Sequence, residues 1–132
     1  WDYKDMIKVY NLMDVFFLGT TGEGFGIPII EAMACEVPCL ATDYTTTPEL
    51  ITENLAGEAI KITDEWFGTW HVNRAIMSID DAAEKMINLY LNPKIREEYG
   101  KNGRAVVLRE YEWKIVADKW DKLLKNLIQW KN

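Results

Sequence analysis

The chain has 132 residues, enough to bury one core and too few for two full-sized domains. Apolar residues make up 48% and charged residues 27%, the balance of a globular protein, and no apolar run approaches the roughly 20 residues of a membrane-spanning helix. With 15 basic and 21 acidic residues the net charge is −6, which argues against a sequence-independent grip on nucleic acid, because that grip neutralises many phosphates. A small anion held by backbone amides stays open. Cys35, Cys39 and His71 are the only residues of their kinds, so neither a zinc quartet nor a disulfide framework can be assembled. The two cysteines are expected as small buried residues in a reducing, cytoplasmic setting, with peripheral attachment to a membrane left open. The opening WDYKDMIKVYNLMD is charged and helix-patterned, unlike a signal peptide.

In chain order, Tyr3, Met6, Ile7 and Tyr10 fall at three- and four-residue spacings and predict an amphipathic helix ending near Asp14. VFFLG, residues 15 to 19, reads as a strand whose lack of polar alternation suits a parallel sheet covered on both faces. Gly24 and Gly26 predict a tight turn, Pro28 fits the first turn of a helix, and IPIIEAMAC makes that helix short and buried. PCLAT, Pro38 to Thr42, is the next strand. Thr47, Pro48 and Glu49 read as an N-cap, a first-turn proline and a favourably placed acid, predicting a short helix to about Asn54 that Gly57 ends. EAIKI supplies a third strand.

Residues 64 to 79 have no clean period and read as a long loop, with Trp66 and Trp70 packed over the third strand and His71 without assigned chemistry. Helices follow over about 80 to 92, 94 to 109 and 112 to 131. The last carries an apolar stripe of Val116, Trp120, Leu123, Leu124, Leu127 and Ile128, read as core or interdomain packing. The alternation of strands and helices predicts the α/β class, a Rossmann-like parallel sheet of about three strands with flanking helices and a helical C-terminus. So small a sheet for this helix content leads to a further expectation, that residues 1–132 are the C-terminal half of a larger doubly wound domain. An edge left uncovered in such a piece predicts self-association.

The chemistry concentrates in TTGEGFGIPIIEAMAC, Thr20 to Cys35. A loop at the carboxyl end of a parallel strand, leading into a helix N-terminus, is where α/β proteins bind ligands. Amides there are unpaired and the helix dipole adds partial positive charge, so phosphates settle without arginine or lysine. Gly24 and Gly26 have no side chain to block the approach. Glu31, one turn inside the helix, can accept hydrogen bonds from a vicinal diol such as a ribose, and Glu23 can hold sugar hydroxyls or oppose positive charge developing at a reacting carbon. Without the surrounding pattern the two would be a helix-dipole acid and a solvated loop acid. A glycosidase pair is a further alternative, disfavoured by the phosphate-ready turn. GEGFG lacks the spacing of a dinucleotide fingerprint.

EGFGIPIIEAMACEVPCLATDYTTTPELI resembles the signature of retaining glycosyltransferases of the GT-B fold, glycosyltransferase family 4, with two glutamates separated by seven residues and followed by a strand and a Pro-Glu helix. VYNLMDVFFLGTTGEGFG upstream and DDAAEKMINLYLNPKIREEYGKNGRAVVLREYEWKIVADKW downstream are similar to the family as well, leaving out Asp64 to Ser78. The resemblance implies a donor-binding C-terminal domain that takes a nucleotide-diphosphate sugar and passes the sugar to a hydroxyl acceptor. It implies Glu31 on the ribose and Glu23 as the catalytic carboxylate, with Thr20, Gly24, Phe25, Gly26, Ile27, Thr45 and Thr46 around the sugar and diphosphate. No metal or other cofactor is implied, and the acceptor belongs to an N-terminal domain of the same protein. A sugar-nucleotide-binding module without catalysis and an assembly subunit are the alternative readings. Three departures stand out: Glu36 where glycine usually follows MAC at a left-handed cap, Thr45 and Thr46 where paired glycines are common, and the long aromatic segment after the third strand.

Overall fold

A computed structural model describes residues 2–129, apart from the side chains of Tyr3, Trp70 and Gln129. Strands β1 (Phe16–Leu18), β2 (Cys39–Thr42) and β3 (Gly57–Ile60) pair in parallel in the order β1-β2-β3, the expected Rossmann-like sheet. All of β2 is buried, and its side chains alternate between two cores: Cys39 and Ala41 enter one, Leu40 the other. Covering on both faces is why β2 carries no polar alternation, whereas β1, expected to be covered on both faces too, leaves Phe17 exposed. On one face lie α1 (Tyr3–Asn11), α2 (Ile27–Ala34) and the end of α4 (Pro93–Val106), which enclose Ile29, Met33 and Ile51. On the other, α3 (Ile79–Leu91) sets Ala82 and Leu89 against Leu40 and Ile60.

Two glycines permit close backbone approach. A Cβ on Gly57 would sit 1.8 Å from the Cys39 carbonyl oxygen, so β3 can lie beside β2 only with glycine there. Its expected role of ending the preceding helix falls instead to Leu55, which takes the left-handed conformation at φ 51°. A Cβ on Gly100 would sit 2.1 Å from the Glu36 carbonyl oxygen, and this contact docks α4 on the end of α2. Glu36 has φ 60°, the left-handed cap that the sequence implies.

Three expectations are corrected. The helix after β2 is a single π turn, Pro48–Thr52, and Thr47 does not cap it: its backbone is helical and its hydroxyl is buried without a partner. The Thr46 carbonyl already accepts from Leu50 N–H at 3.0 Å, so Thr47 lies inside the turn, where its hydroxyl cannot reach the free amides. Residues 64 to 79 are not a loop. They form most of an antiparallel hairpin, β4 (Ile62–Phe67) and β5 (Asn73–Met77), joined through a 3₁₀ turn at Thr69–His71 and irregular between Ile62 and Asp64. The hairpin folds back over the loop that follows β1, where Ala75 N–H donates to the Thr21 carbonyl at 3.0 Å. Trp66 therefore lines a cavity of about 310 Å³ with Gly19, Thr20 and Thr21 instead of covering the third strand, while the expected packing of Trp70 lies outside the described side chains.

The last helix, α5 (Trp113–Gln129), leaves Trp120, Leu123, Leu124, Leu127 and Ile128 exposed, so that stripe is no part of this chain's two cores. Among the described residues, no helix is long and apolar enough to cross a membrane. The start of α3 is tied down by charge. Ser78 Oγ accepts from Asp81 N–H at 3.2 Å, and the Asp81 carboxylate accepts from Lys85 Nζ at 2.8 Å and from Lys61 N–H at 2.9 Å. These bonds, that from Lys85 foremost, hold the Asp81 carboxyl down to about 2.

Glu36→Gly is expected to stabilise the domain by roughly 0.5–1 kcal/mol, the relief of left-handed strain exceeding the added flexibility of the unfolded chain. Gly100→Ala should cost about 1–3 kcal/mol or more by overpacking the same contact. Chemical denaturation checks both, and an unchanged or lowered midpoint for Glu36→Gly would show that the position is unstrained. For Asp81 the folded pKa lies below the unfolded value of about 3.9, so its contribution is present above that pH and lost as pH falls through about 2. Asp81→Asn should lower the thermal midpoint at neutral pH, and its gap to the parent should close between about pH 4 and pH 2. A gap independent of pH would refute the ionic role.

Candidate functional site

The loops following β1 and β2 are stitched together by threonines. Thr20 Oγ1 accepts from Gly22 N–H at 3.2 Å, closing a local turn. Glu23 N–H donates to Thr45 Oγ1 at 2.9 Å, and Thr46 Oγ1 donates to the Phe25 carbonyl at 3.3 Å. Gly26, at φ 83°, turns the chain into α2, and a Cβ there would press on Ile29 and Leu50 at 3.1 Å. Among the described residues, the amides of Gly24, Phe25, Gly26 and Ile27 have no acceptor, whereas Ile29 and Ile30 N–H both bond to the Gly26 carbonyl. Nothing lies within 4 Å of the position a Gly24 Cβ would take. The structure thus gathers Thr20, Glu23, Gly24, Gly26, Thr45 and Thr46 at the carboxyl ends of two parallel strands, with free N–H groups at a helix N-terminus.

The side chains of Phe25, Ile27 and Glu31 lie on another wall. They line a trough of about 940 Å³ between α1, α2 and the turn leading into α5, where the Phe25 ring meets the edge of Tyr111 at 5.9 Å. Glu31 Oε2 accepts from the Tyr10 hydroxyl at 2.8 Å. Burial, and then the Glu31 carboxylate beside it, push the Tyr10 phenol well above its usual range, so it remains a donor. Glu31 Oε1 has no partner among the described residues, and Tyr10 orients the carboxylate while leaving that oxygen available.

Tyr10 is one residue the sequence reading did not assign to the site. Its helical spacing identified a buried face, but its partner lies 21 residues away. The hairpin is the other omission. Around the position a Gly22 Cβ would take, the Tyr44 ring, Arg74 Nη1 and Thr45 Cγ2 converge at 3.6–3.7 Å. A signal was available: Lys8 and Lys61 bracket a stretch with no lysine or arginine at all, so any cation at these loops has to come from elsewhere. Cys39, expected to be buried, has its thiol pushed up to about 12 by burial, and burial raises Cys35 as well, so neither supplies a thiolate. Among the described residues, no group of three or more His, Cys, Asp or Glu could hold a metal ion.

Comparison with known proteins places the chain. The family model described as glycosyl transferases group 1 matches residues 1–106. The capsular polysaccharide biosynthesis glycosyltransferase CapM of Staphylococcus aureus is 32% identical over 120 residues, which cover 91% of this chain and 27% of that protein. A GDP-mannose-dependent monoacylated alpha-(1-6)-phosphatidylinositol monomannoside mannosyltransferase of Corynebacterium glutamicum is 29% identical over 132 residues, covering 95% of this chain and 31% of that one. The chain therefore spans less than a third of the length of these relatives. Sucrose-phosphate synthase from Thermosynechococcus elongatus, 21% identical, superposes with a TM-score of 0.79 over 98% of this chain and 29% of its own, so the fold is that of the GT-B glycosyltransferases.

Tyr10→Phe and Glu31→Gln should each destabilise, and together they should cost less than the sum of the two, with a coupling of about 0.5–1.5 kcal/mol. A double-mutant cycle by urea denaturation measures it, and strict additivity would mean that the two groups do not bond in solution.

Proposed function

The chain belongs to the group 1 glycosyl transferases, and on that premise we propose that it binds the nucleotide-diphosphate sugar from which such an enzyme transfers the sugar, with retention, to a hydroxyl acceptor. The observation that carries the reading is the run of amides from Gly24 to Ile27, at the N-terminus of α2, that have no acceptor among the described residues. Such donors, fixed before the ligand arrives, stabilise charge gathering on a leaving diphosphate without reorganisation. In this reading no metal is required. Glu31, oriented by Tyr10, offers its free oxygen to the ribose diol, and Glu23 opposes the positive charge of an oxocarbenium-like transition state. Thr45 and Thr46 line the diphosphate side. The acceptor is held by an N-terminal domain of the same protein, closing over this one. The names of the relatives support a sugar donor activated by a nucleotide, as in the GDP-mannose-dependent mannosyltransferase.

A calorimetric screen of uridine, guanosine and adenosine diphosphates against the full-length protein tests donor binding, and silence from all of them would refute it. The two glutamates should then fail differently. Glu31→Gln weakens a contact made equally in ground and transition states, so it should raise KM by roughly 10- to 100-fold and leave kcat nearly unchanged. Glu23→Gln removes negative charge where positive charge develops, so kcat should fall by about 10²-fold or more. Steady-state kinetics with the reversed pattern would overturn the assignment of roles.

A further inference from the structure

The loops that carry the free amides belong to an acidic part of the chain. Between Lys8 and Lys61 there is no basic side chain, while Glu23, Glu31 and Asp43 all fall in or beside the site loops. Amide dipoles offset part of a diphosphate's charge, but carboxylates on both loops repel it. A full positive charge reaches this place from the hairpin. Arg74 stands on β5 opposite Trp66 of β4, and its Nη1 lies 3.7 Å from the position a Gly22 Cβ would take, between the loop after β1 and the loop after β2. The hairpin that carries it is fastened to the first of these loops by the Ala75–Thr21 backbone bond and touches the second through Tyr44, whose hydroxyl donates to Glu65 Oε2 at 3.4 Å. Arg74 is half-buried, and among the described residues its guanidinium makes neither an ion pair nor a hydrogen bond. A half-buried guanidinium without an acceptor, held over glycine backbone, is a fork ready for an anion with oxygens in one plane.

We propose that Arg74 is a donor-binding residue that contacts the diphosphate of the nucleotide sugar, and that the β4–β5 hairpin serves as a third wall of the donor site. This rests on the donor-site reading above. The hairpin then has a reason to pack on the loop after β1, and Gly22 leaves the guanidinium room to lie across the backbone. Charge-assisted bonds to the outer phosphate would favour the diphosphate over the corresponding monophosphate, which lacks that group and carries about one negative charge fewer.

The test is calorimetry on the full-length protein with uridine, guanosine and adenosine diphosphates and the matching monophosphates, comparing the parent with Arg74→Gln, Arg74→Lys and Trp66→Ala. For the diphosphate that binds, Arg74→Gln should weaken binding by roughly 10- to 100-fold and flatten its salt dependence, while the monophosphate changes by less than about 3-fold. Arg74→Lys should recover part of the loss. Trp66→Ala, which removes the cross-strand neighbour but keeps the charge, should leave the preference for diphosphate intact. Equal losses for both nucleotides in Arg74→Gln, or no loss in either, would overturn the proposal while leaving the donor-site reading standing. If the parent binds none of the diphosphates, the donor-site reading fails and the role of Arg74 falls with it.

Discussion

The parallel pairing of β2 with a strand on each side, every one of its residues shut off from water, is the constraint on which the site depends. It sets the carboxyl ends of β1 and β2 next to each other, so the two loops leaving them must meet. The pairing is exacting: β3 approaches so closely that only glycine fits at residue 57, and the alternation of Cys39, Leu40 and Ala41 commits α1 and α2 to one face and α3 to the other, while α4 packs Ile95 and Tyr99 on the second core and Val106 in the first. A one-residue slip of β2 would exchange its two faces and pull Thr45 away from Glu23. Packing and site geometry are therefore the same fact at different distances from the sheet.

Much of this was legible in the sequence, and what was legible was local. Strands buried on both faces announce themselves as unbroken apolar runs, and Gly26, Pro28 and the apolar IPIIEAMA mark the start of α2 directly. The left-handed turn at Glu36 was readable because a helix ends there just ahead of a strand. The hairpin was not readable for an equally physical reason. β4 is exposed or half-buried along its whole length and irregular at its start, so Asp64, Glu65, Trp66 and Phe67 show no alternation, and its partner strand is recognisable only once Trp66 faces Arg74. Thr47 misled in the opposite direction. A threonine before Pro-Glu has the composition of a cap, yet capping depends on an extended backbone that the turn from Tyr44 to Thr46 denies it. At the site, the glycines and glutamates were visible in the sequence, whereas Tyr10 and Arg74 act across the fold.

The two glutamates, separated by seven residues in sequence, end in different surroundings. Glu23 is held through its backbone, its N–H bound to Thr45, and its carboxylate has no partner among the described residues. Glu31 is held through its side chain by Tyr10, on a wall that is otherwise largely apolar. A carboxylate restrained at one oxygen has a defined direction for the other, which suits a group whose work is recognition. The division of labour proposed for the pair is in keeping with this difference in anchoring.

Two of the four non-glycine residues with positive φ among the described residues make the same point from the energetic side. Glu36 and Thr45 both have positive φ, at 60° and 54°, and each is a position where glycine would be at ease. At Glu36 the side chain offers little in return, a half-exposed ion pair with Arg104 at 3.5 Å that solvent screens. Thr45 is β-branched and so more costly there, but its hydroxyl is the acceptor for Glu23 N–H, and that bond joins the loop after β2 to the loop after β1. Strain that can be relieved without consequence at one position is, at the other, tied to the geometry of the site. Residues held in sparsely populated backbone regions persist where the surroundings over-determine them, and at Thr45 that determination comes from the loops that carry the free amides. A glycine at 45 would relax the turn and release Glu23 together.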